Sequence, residues 1–355
     1  MLLRNVSSRL FFHRASLKHF PTTYSIKLMS TKNTMRAVFI NEHGAADKLI
    51  YKEDVPVPQV NSDSVLIKNH FVGINYIDTY HRTGLYKVPL PYTLGREGAG
   101  EVVEVGSNVK DLKVGDRVVY LSGSTYAEYT NVDAANVQTL TNDISYEEAA
   151  AIGIQGLTAW TMLRDGYPVK KGDIILVHAA AGGVGLLLCQ MAHHLGATVI
   201  GTVSSEEKAE LARQNGATHT IIYTREDVVK RVNEITNNLG CHAVLDGVGK
   251  DTFESSLAVT RRLGTLISFG NATGVVPPIS ISCLAPKALK LMRPTLFAYV
   301  DTREEFVKWW SEILDLLRKK VIKLHIHKIY DLKDASQAHI DIESRRTTGK
   351  LLLKL

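Results

Sequence analysis

Residues 178–190, HAAAGGVGLLLCQ, constrain the fold more than any other segment, because small residues there separate an apolar run from a helical pattern. The apolar run before them, residues 173–177, suits a buried strand. In a dinucleotide-binding turn, three glycines permit a tight bend, close approach of a pyrophosphate and close packing of the helix. We therefore expect a pyrophosphate on main-chain N–H groups at a helix N-terminus, the alternative being small residues that serve packing alone. The three glycine positions are held by Ala180, Gly182 and Gly185, and the residues expected against the pyrophosphate are Gly182, Gly183 and Val184.

The residues after this turn continue the alternation of strand and helix. Gly196 is well placed to end the first helix, and further strands and helices follow up to residue 269. Such repetition predicts an α/β fold with a doubly wound parallel sheet and helices on both faces. The predicted strands are residues 197–203, 218–223, 242–246 and 264–269, and the predicted helices are residues 206–214, 226–238 and 252–260.

The chain before the turn has a different pattern. From residue 35 to about residue 155, short alternating or apolar runs are bounded by glycine and proline, which is typical of a β-rich domain. Residues 303–319 predict an amphipathic helix, and residues 349–355 predict a strand that we expect to return to the first domain. The predicted division is residues 1–34 for targeting, 35–158 for the first part of the catalytic domain, 159–296 for the nucleotide-binding domain and 297–355 for the return.

The positive charge of the chain is concentrated at its N-terminus. Residues 1–36 hold seven Lys and Arg and no acid, whereas the rest holds 35 Lys and Arg against 36 acids, so the formal net charge of +6 belongs to the tail. A basic, serine-containing, amphipathic tail predicts a cleavable mitochondrial presequence. The alternative is a disordered extension that carries no targeting signal. Initiation at Met29 or Met35 would give a cytosolic form. The body has no excess charge to attract nucleic acid, and no apolar run is long enough to insert into a membrane.

Six segments carry a family resemblance: GREGAGEVVEVGSNVKDLKVGDRVVY, IQGLTAW, HAAAGGVGLLLCQ, GVGKDTFESSL, SFGNATG and DIESRRTTGKLLLKL. Together they resemble the quinone oxidoreductase, or zeta-crystallin, branch of the medium-chain dehydrogenase/reductase superfamily. The resemblance covers Met35 to the C-terminus. It implies a Rossmann-type sheet inserted in a β-rich GroES-like catalytic domain, NADPH as hydride donor, small-molecule quinones as acceptors, and a homodimer.

A second comparison within that superfamily concerns zinc. Its zinc alcohol dehydrogenases carry a histidine followed by glutamate in a glycine-flanked turn, and a cysteine early in the catalytic domain. Here the matching turn is Gly95-Arg96-Glu97-Gly98, and no cysteine precedes Cys189. Since zinc requires three or four Cys, His or carboxylate ligands in a fixed cage, we expect no metal.

Without a metal, the enzyme must place an electron-poor acceptor beside the nicotinamide and stabilise the oxyanion created by hydride arrival. By resemblance, residues 75–86 line the cleft beside the nicotinamide. We select Tyr80 for a hydroxyl near the acceptor oxygen, Asn75 for an amide hydrogen bond and Tyr86 beside them, although both tyrosines are also consistent with packing alone. No residue pattern in the sequence indicates a proton donor for the reduced product. The residues assigned to the nicotinamide half of the cofactor are Tyr76, Tyr80, Thr158, Phe269, Gly270 and Asn271.

The residues that follow the predicted strand 197–203 bear on the choice between NADPH and NADH. NAD enzymes of this fold commonly place Asp or Glu there to bind both ribose hydroxyls, whereas this chain has Ser204 and Ser205, with Lys208 one helical turn onward. Hydroxyls and an ammonium group suit a 2′-phosphate, so we predict NADPH. Tyr223 and Arg345 match family positions that close around the same phosphate.

Several alternatives stay open at this level. Glu206 and Glu207 could bind ribose, although acids are equally expected in the first turn of a helix. Reduction of the C=C bond of enones and alkenals uses the same hydride geometry as quinone reduction. Secondary binding of RNA in the nucleotide cleft is admitted by the zeta-crystallin resemblance, but the chain has no recognisable RNA-binding motif.

Overall fold

The catalytic domain begins as a set of short strands that leads into a long helix. The computed structural model describes residues 33–355, so residues 1–32 of the predicted targeting segment lie outside the described residues. The elements of this part are β1 (Thr34–Ile40), β2 (Ile50–Pro56), β3 (Ser64–Ile74), α1 (Tyr76–Thr83), β4 (Tyr92–Thr93), β5 (Glu97–Val105), β6 (Arg117–Leu121), β7 (Tyr129–Asp133), β8 (Val137–Thr139) and α2 (Tyr146–Thr161).

The nucleotide-binding domain contains a six-stranded sheet, in which every pair of neighbouring strands is parallel. Its elements are β9 (Ile174–Val177), α3 (Gly183–His194), β10 (Thr198–Val203), α4 (Glu206–Gln214), β11 (His219–Ile222), α5 (Val228–Thr236), β12 (Cys241–Asp246), α6 (Phe253–Val259), β13 (Thr260–Ser268) and β14 (Lys290–Met292). The strand order is β11-β10-β9-β12-β13-β14. This order is that of a Rossmann-type doubly wound sheet, so the predicted fold class is confirmed.

The C-terminal part of the chain returns to the catalytic domain, as predicted. Its elements are α7 (Arg303–Arg318), β15 (Ile326–Asp331), α8 (Ala335–Glu343) and β16 (Lys350–Lys354). Strand β16 pairs antiparallel with β3, placing Leu351 opposite Ile74. A seven-stranded sheet results in the order β15-β16-β3-β5-β6-β8, with β7 also paired to β3, and a three-stranded sheet β2-β1-β4 lies apart from it.

Helix α2 connects the two domains. Ser145 and Glu148 form a capping box that fixes its beginning, and the helix then runs without interruption to Thr161. The predicted domain boundary after residue 158 therefore falls inside a helix. Helix α2 packs both on the catalytic strands and on α3, so it contacts both domains. Glycine allows helix α7 to approach closely, since a Cβ at Gly156 would lie 2.7 Å from Cδ1 of Ile313.

Some observed helix boundaries differ from the predicted ones, because capping residues determine where a helix begins and ends. Helix α5 begins at Val228 rather than at residue 226, because the Asp227 side chain accepts the N–H of Lys230. It ends at Thr236, where Asn237 adopts the left-handed conformation at φ 51°. Among the helices of residues 33–355, none combines the length and apolarity needed to cross a bilayer.

Candidate active site

A cleft of about 540 Å³ lies between α1 and the carboxyl ends of the parallel strands. Its volume is that of a pocket for a small molecule or cofactor. Ser205 and Asn271 are not part of its lining. The predicted site residues that do line it are Asn75, Tyr76, Tyr80, Tyr86, Thr158, Gly182, Gly183, Val184, Ser204, Lys208, Tyr223, Phe269, Gly270 and Arg345.

The N-terminus of α3 forms one wall of the cleft. Gly182 occupies the N-cap position, and no side chain caps the helix. The first N–H groups of a helix have no partner within the helix, so an uncapped N-terminus is suited to an anion. Close packing depends on Gly185, because a Cβ there would lie 2.3 Å from the carbonyl oxygen of Ala179. The predicted role of this third glycine is confirmed.

Alanine in place of the first glycine is accommodated by the neighbouring strand. Ala180 is fully buried, and its methyl group lies against β10. A Cβ at Gly201 would come within 2.7 Å of the Ala180 Cβ, so Gly201 provides the space that the alanine fills. The turn therefore keeps its close packing through a glycine on the adjacent strand.

At the end of the cleft where the sequence predicts the adenosine of the cofactor, which we call the adenosine end, Lys208 is held in place by the C-terminal segment. Its Nζ donates to the main-chain oxygen of Arg345 at 2.6 Å, and partial burial lowers the pKa of this lysine. The carboxylate of Glu206 is held by Arg213 at 3.0 Å and Arg225 at 2.7 Å. These two ion pairs favour a role for Glu206 at the N-terminus of α4 over a role as a ligand of the cofactor ribose.

The hydroxyl oxygen of Ser205 has a partner within the protein, and its predicted contact with the phosphate stays a prediction. It accepts the main-chain N–H of Lys208 at 3.3 Å and caps α4. Because serine commonly caps a helix before acidic first-turn residues, the capping role accounts for Ser205 without a phosphate. Ser204 does line the cleft, so the two serines differ in their position relative to it.

The acceptor end of the cleft is formed by two tyrosines and the segment after β13. Tyr80 is 9% exposed, and its Oη accepts the main-chain N–H of Asn271 at 3.0 Å. No acceptor among residues 33–355 takes the hydrogen of the Tyr80 hydroxyl. The rings of Tyr80 and Tyr86 meet edge to face with their centroids 5.2 Å apart. Burial raises the pKa of Tyr80, so its hydroxyl is a neutral donor.

The amide of Asn75 belongs to a buried network behind the cleft. Its Nδ2 donates to Oε1 of Glu97 at 2.6 Å, and its Oδ1 accepts from Nζ of Lys350 at 3.0 Å. Lys350 also forms an ion pair with Glu97 at 2.5 Å, with side-chain exposures of 3% and 0%. The other carboxylate oxygen of Glu97 accepts the N–H of Ile154 at 2.5 Å. The predicted bond from Asn75 to the acceptor stays a prediction, since this network already orients both ends of its amide.

Tyr76 also bonds within the protein. Its hydroxyl donates to the carbonyl oxygen of Ile342 at 3.0 Å, which anchors α1 to α8. Its ring still lines the cleft, so a contact with the cofactor through the ring stays a prediction.

Two cationic residues, Arg293 in the lining of the cleft and Lys350 in the network behind it, are absent from the set predicted from the sequence. Lys350 is the first residue of the terminal strand and precedes three leucines, and a charge at a buried strand position is a signal that an acidic partner is needed. Arg293 stands in an irregular segment after β14, where no local pattern indicates its position.

The turn that carries a histidine in the zinc enzymes contains Arg96 instead. Its guanidinium lies over the ring of Phe297, 4.3 Å from the centroid. Within residues 33–355, no group of three or more His, Cys, Asp or Glu side chains is arranged to hold a metal ion.

Two family models match the chain, one within the first part of the catalytic domain and one mainly within the nucleotide-binding domain. The alcohol dehydrogenase GroES-like domain matches residues 61–145, and the zinc-binding dehydrogenase domain matches residues 183–314. A quinone oxidoreductase of Pseudomonas aeruginosa is 44% identical over 315 residues, which cover 88% of this chain and 97% of that protein. The chain belongs to the quinone oxidoreductase branch of the medium-chain dehydrogenase/reductase superfamily.

Solved structures agree with this membership. The quinone oxidoreductase of Escherichia coli complexed with NADPH has a TM-score of 0.88 and 42% identity, and the match covers 90% of this chain and 100% of that one. A 2-haloacrylate reductase of Burkholderia sp is 36% identical over 89% of this chain and 98% of that protein. The protein is therefore an oxidoreductase of this branch, as the resemblance implied.

Proposed function

We propose that this protein is an NADPH-dependent quinone reductase that works without zinc. One observation carries the proposal: a single cleft joins an uncapped helix N-terminus to the hydroxyl of Tyr80. The residues fit the cofactor, because the donor set at one end is main-chain N–H groups and an ammonium group, both suited to phosphates. The NADPH complex of the Escherichia coli relative, 42% identical to this chain, supports the same cofactor here.

When bound, NADPH supplies a hydride from its nicotinamide ring. Thr158 and Phe269 border the part of the cleft that leads to Tyr80, and they position the reacting groups. Tyr80 donates its hydroxyl hydrogen to the acceptor oxygen on which negative charge develops. Because burial raises the pKa of Tyr80, it holds the proton while donating, and we assign the proton that completes the product to solvent.

The preference for NADPH over NADH is assigned to Lys208 and Tyr223. Lys208 lies beside the C-terminal segment that carries Arg345, and Tyr223 directly follows β11, so the three surround one end of the cleft. Glu206 is held away by two arginines, which removes one carboxylate that would repel a 2′-phosphate.

Zinc-free chemistry is supported by how the turn at residues 95–98 is used. Arg96 lies on Phe297, and Glu97 is fully engaged by Lys350, Asn75 and the N–H of Ile154. We expect turnover to be unaffected by strong chelators. A loss of activity that added zinc restores would contradict this part of the proposal.

Reduction of a C=C bond is the second candidate, and the 36% identity to a 2-haloacrylate reductase favours it. Loss of NADPH absorbance with 9,10-phenanthrenequinone and with a simple enone separates the two functions. We expect the quinone to have the higher kcat/KM. Turnover of the enone with none of the quinone would replace the first proposal by the second.

Assembly as a homodimer is proposed from the edge of the six-stranded sheet. Among residues 33–355, β14 pairs with β13 alone, which leaves its other edge open to a second copy. Exposed apolar side chains precede this edge, including Ile281, which is 82% exposed. Light scattering should give twice the monomer mass, and a monomer at micromolar concentration would remove the proposal.

Mitochondrial delivery is proposed from the basic tail alone. Fusion of residues 1–34 to a fluorescent reporter should direct it to mitochondria, and diffuse cytosolic signal would contradict the assignment.

Binding of RNA stays a prediction, and competition between RNA and NADPH in a gel shift at low salt would test it.

A further inference from the structure

Charge is distributed unevenly among the side chains that line the cleft. Within residues 33–355, no Asp or Glu belongs to this lining, whereas Lys208, Arg293 and Arg345 do. Lys208 and Arg345 lie at the adenosine end, where the proposed cofactor brings phosphate groups. Arg293 lies at the acceptor end, where the proposed cofactor brings none. Its charge is therefore not explained by the cofactor.

The guanidinium of Arg293 is fixed in place by uncharged partners. Nη1 donates to the carbonyl oxygens of Ser268 at 2.8 Å and Gly270 at 3.1 Å, and Nη2 donates to Oη of Tyr86 at 3.1 Å. No carboxylate oxygen of residues 33–355 lies within 4.0 Å of it. Carbonyl and hydroxyl partners orient the group but leave its positive charge uncompensated.

Arg293 is also close to the group assigned to the acceptor oxygen. The main-chain N–H of Asn271 donates to the Tyr80 hydroxyl at 3.0 Å. In the orientation that satisfies both ends of the Asn271 amide, its Oδ1 accepts from Nη2 of Arg293 at 2.9 Å, and its Nδ2 donates to the carbonyl oxygen of Gly270. One residue therefore separates the guanidinium from Tyr80. A charged substituent on a small acceptor held at Tyr80 would lie within reach of Arg293.

We propose that the enzyme prefers acceptors that carry a negatively charged substituent, such as a carboxylate on the quinone ring, and that Arg293 is the residue that selects them. This inference rests on the proposed function and specifies its substrate class. A rim cation paired with an anionic substrate raises the rate of productive encounter and lowers KM more than it changes kcat. Because Arg293 is exposed, we expect a moderate preference of about threefold to tenfold.

The test compares two acceptors that differ in charge and little else, 9,10-phenanthrenequinone-2-carboxylate and its 2-carboxamide. At low ionic strength we expect kcat/KM to be higher for the carboxylate by about threefold to tenfold, mainly through KM. Since the Debye length is about 10 Å at 0.1 M salt and about 3 Å at 1 M, the preference should shrink as salt is added. Arg293→Gln should abolish the preference, and Arg293→Lys should keep most of it. Arg262→Gln, which removes an exposed charge near the start of β13, at the opposite end of that strand from Ser268, is the matched control and should keep the preference whole.

Each result bears on one proposal or the other. If unsubstituted 9,10-phenanthrenequinone is not reduced at all, the proposed function fails. If the quinones are reduced with equal kcat/KM at low salt, or if the preference survives in Arg293→Gln, the inference about Arg293 is overturned. If Arg293→Gln does not fold, two measurements still test the inference. They are the salt dependence of the wild-type preference and the ratio of kcat/KM for the carboxylate and the carboxamide in Arg293→Lys.

Discussion

The two ends of the cleft are built in different ways. At the phosphate end, consecutive residues of one strand-turn-helix unit supply main-chain N–H groups, and close packing of the turn requires glycine at Gly185 and at Gly201 on the adjacent strand. At the acceptor end, side chains from distant segments meet. Tyr80 on α1 bonds to Asn271 across 191 residues of chain, and Lys350 on β16 bonds to Glu97 across 253.

This difference separates binding from selectivity. A site made of backbone groups is determined by local geometry, and many side chains can vary around it without changing what it binds. A site made of side chains from several elements depends on the whole fold, and a single substitution can change it. The main-chain turn at the N-terminus of α3 is accordingly the robust part of this cleft, whereas cofactor preference depends on the side chain of Lys208 and substrate preference depends on the side chains of the acceptor end.

The largest effect is expected when the buried pair behind the acceptor end is broken. Lys350→Met leaves Glu97 buried and unpaired, and we expect the free energy of unfolding to fall by about 3–5 kcal/mol, as measured by urea denaturation. The double variant Glu97→Gln/Lys350→Met should recover a large part of this loss. The exposed Lys323→Met is the control and should change stability by less than about 0.5 kcal/mol. Equal stability of Lys350→Met and wild type would show that the acceptor end does not depend on this pair.

The next effect concerns the phosphate end. Lys208→Ala removes the ammonium group proposed for the 2′-phosphate, and the dissociation constant of NADPH should rise by about tenfold to a hundredfold, equivalent to about 1.5–3 kcal/mol. The dissociation constant of NADH should hardly change. Calorimetric titration of both cofactors measures this. Equal weakening of the two would indicate that Lys208 acts on the fold of the site and not on the phosphate.

The smallest effect is expected at the acceptor hydroxyl. Tyr80→Phe should lower kcat/KM for quinones by about fivefold, the value of one neutral hydrogen bond of about 1 kcal/mol, and leave the affinity for NADPH unchanged. Tyr223→Phe should show the reverse pattern. Because the pKa of Tyr80 is raised, its contribution should be constant from about pH 6 to about pH 9. If Tyr80→Phe leaves kcat and KM unchanged for several quinones, Tyr80 has no catalytic role.

The sequence predicts most of the fold because its signals are local. Helix α4 begins and ends at the predicted residues, and Gly196, at φ 85°, follows the end of α3 as expected. The doubly wound parallel sheet and the return of the terminal strand follow from alternation and resemblance. Local signals do not contain the partner of a buried charge, so the sequence indicates Glu97 only as part of a turn and does not indicate Lys350.

The site predictions divide in the same way. Small residues at the turn are predicted correctly because only a close approach of backbone requires them. Ser205 is predicted at the phosphate because a hydroxyl at a strand end suits a ligand, and the structure shows that the same serine also caps α4, a role that the sequence prediction did not include. Arg293 has no pattern in its own segment, since its partners are carbonyl oxygens at the end of another strand.

The central claim is that one end of the cleft binds the phosphates of NADPH while the other end reduces the acceptor. The most direct measurement is kcat/KM for NADPH and for NADH in wild-type protein, with 9,10-phenanthrenequinone held at saturation. A charged hydrogen bond to the 2′-phosphate predicts a preference for NADPH of about tenfold to a hundredfold. Equal values, or a preference for NADH, would contradict the account of the phosphate end.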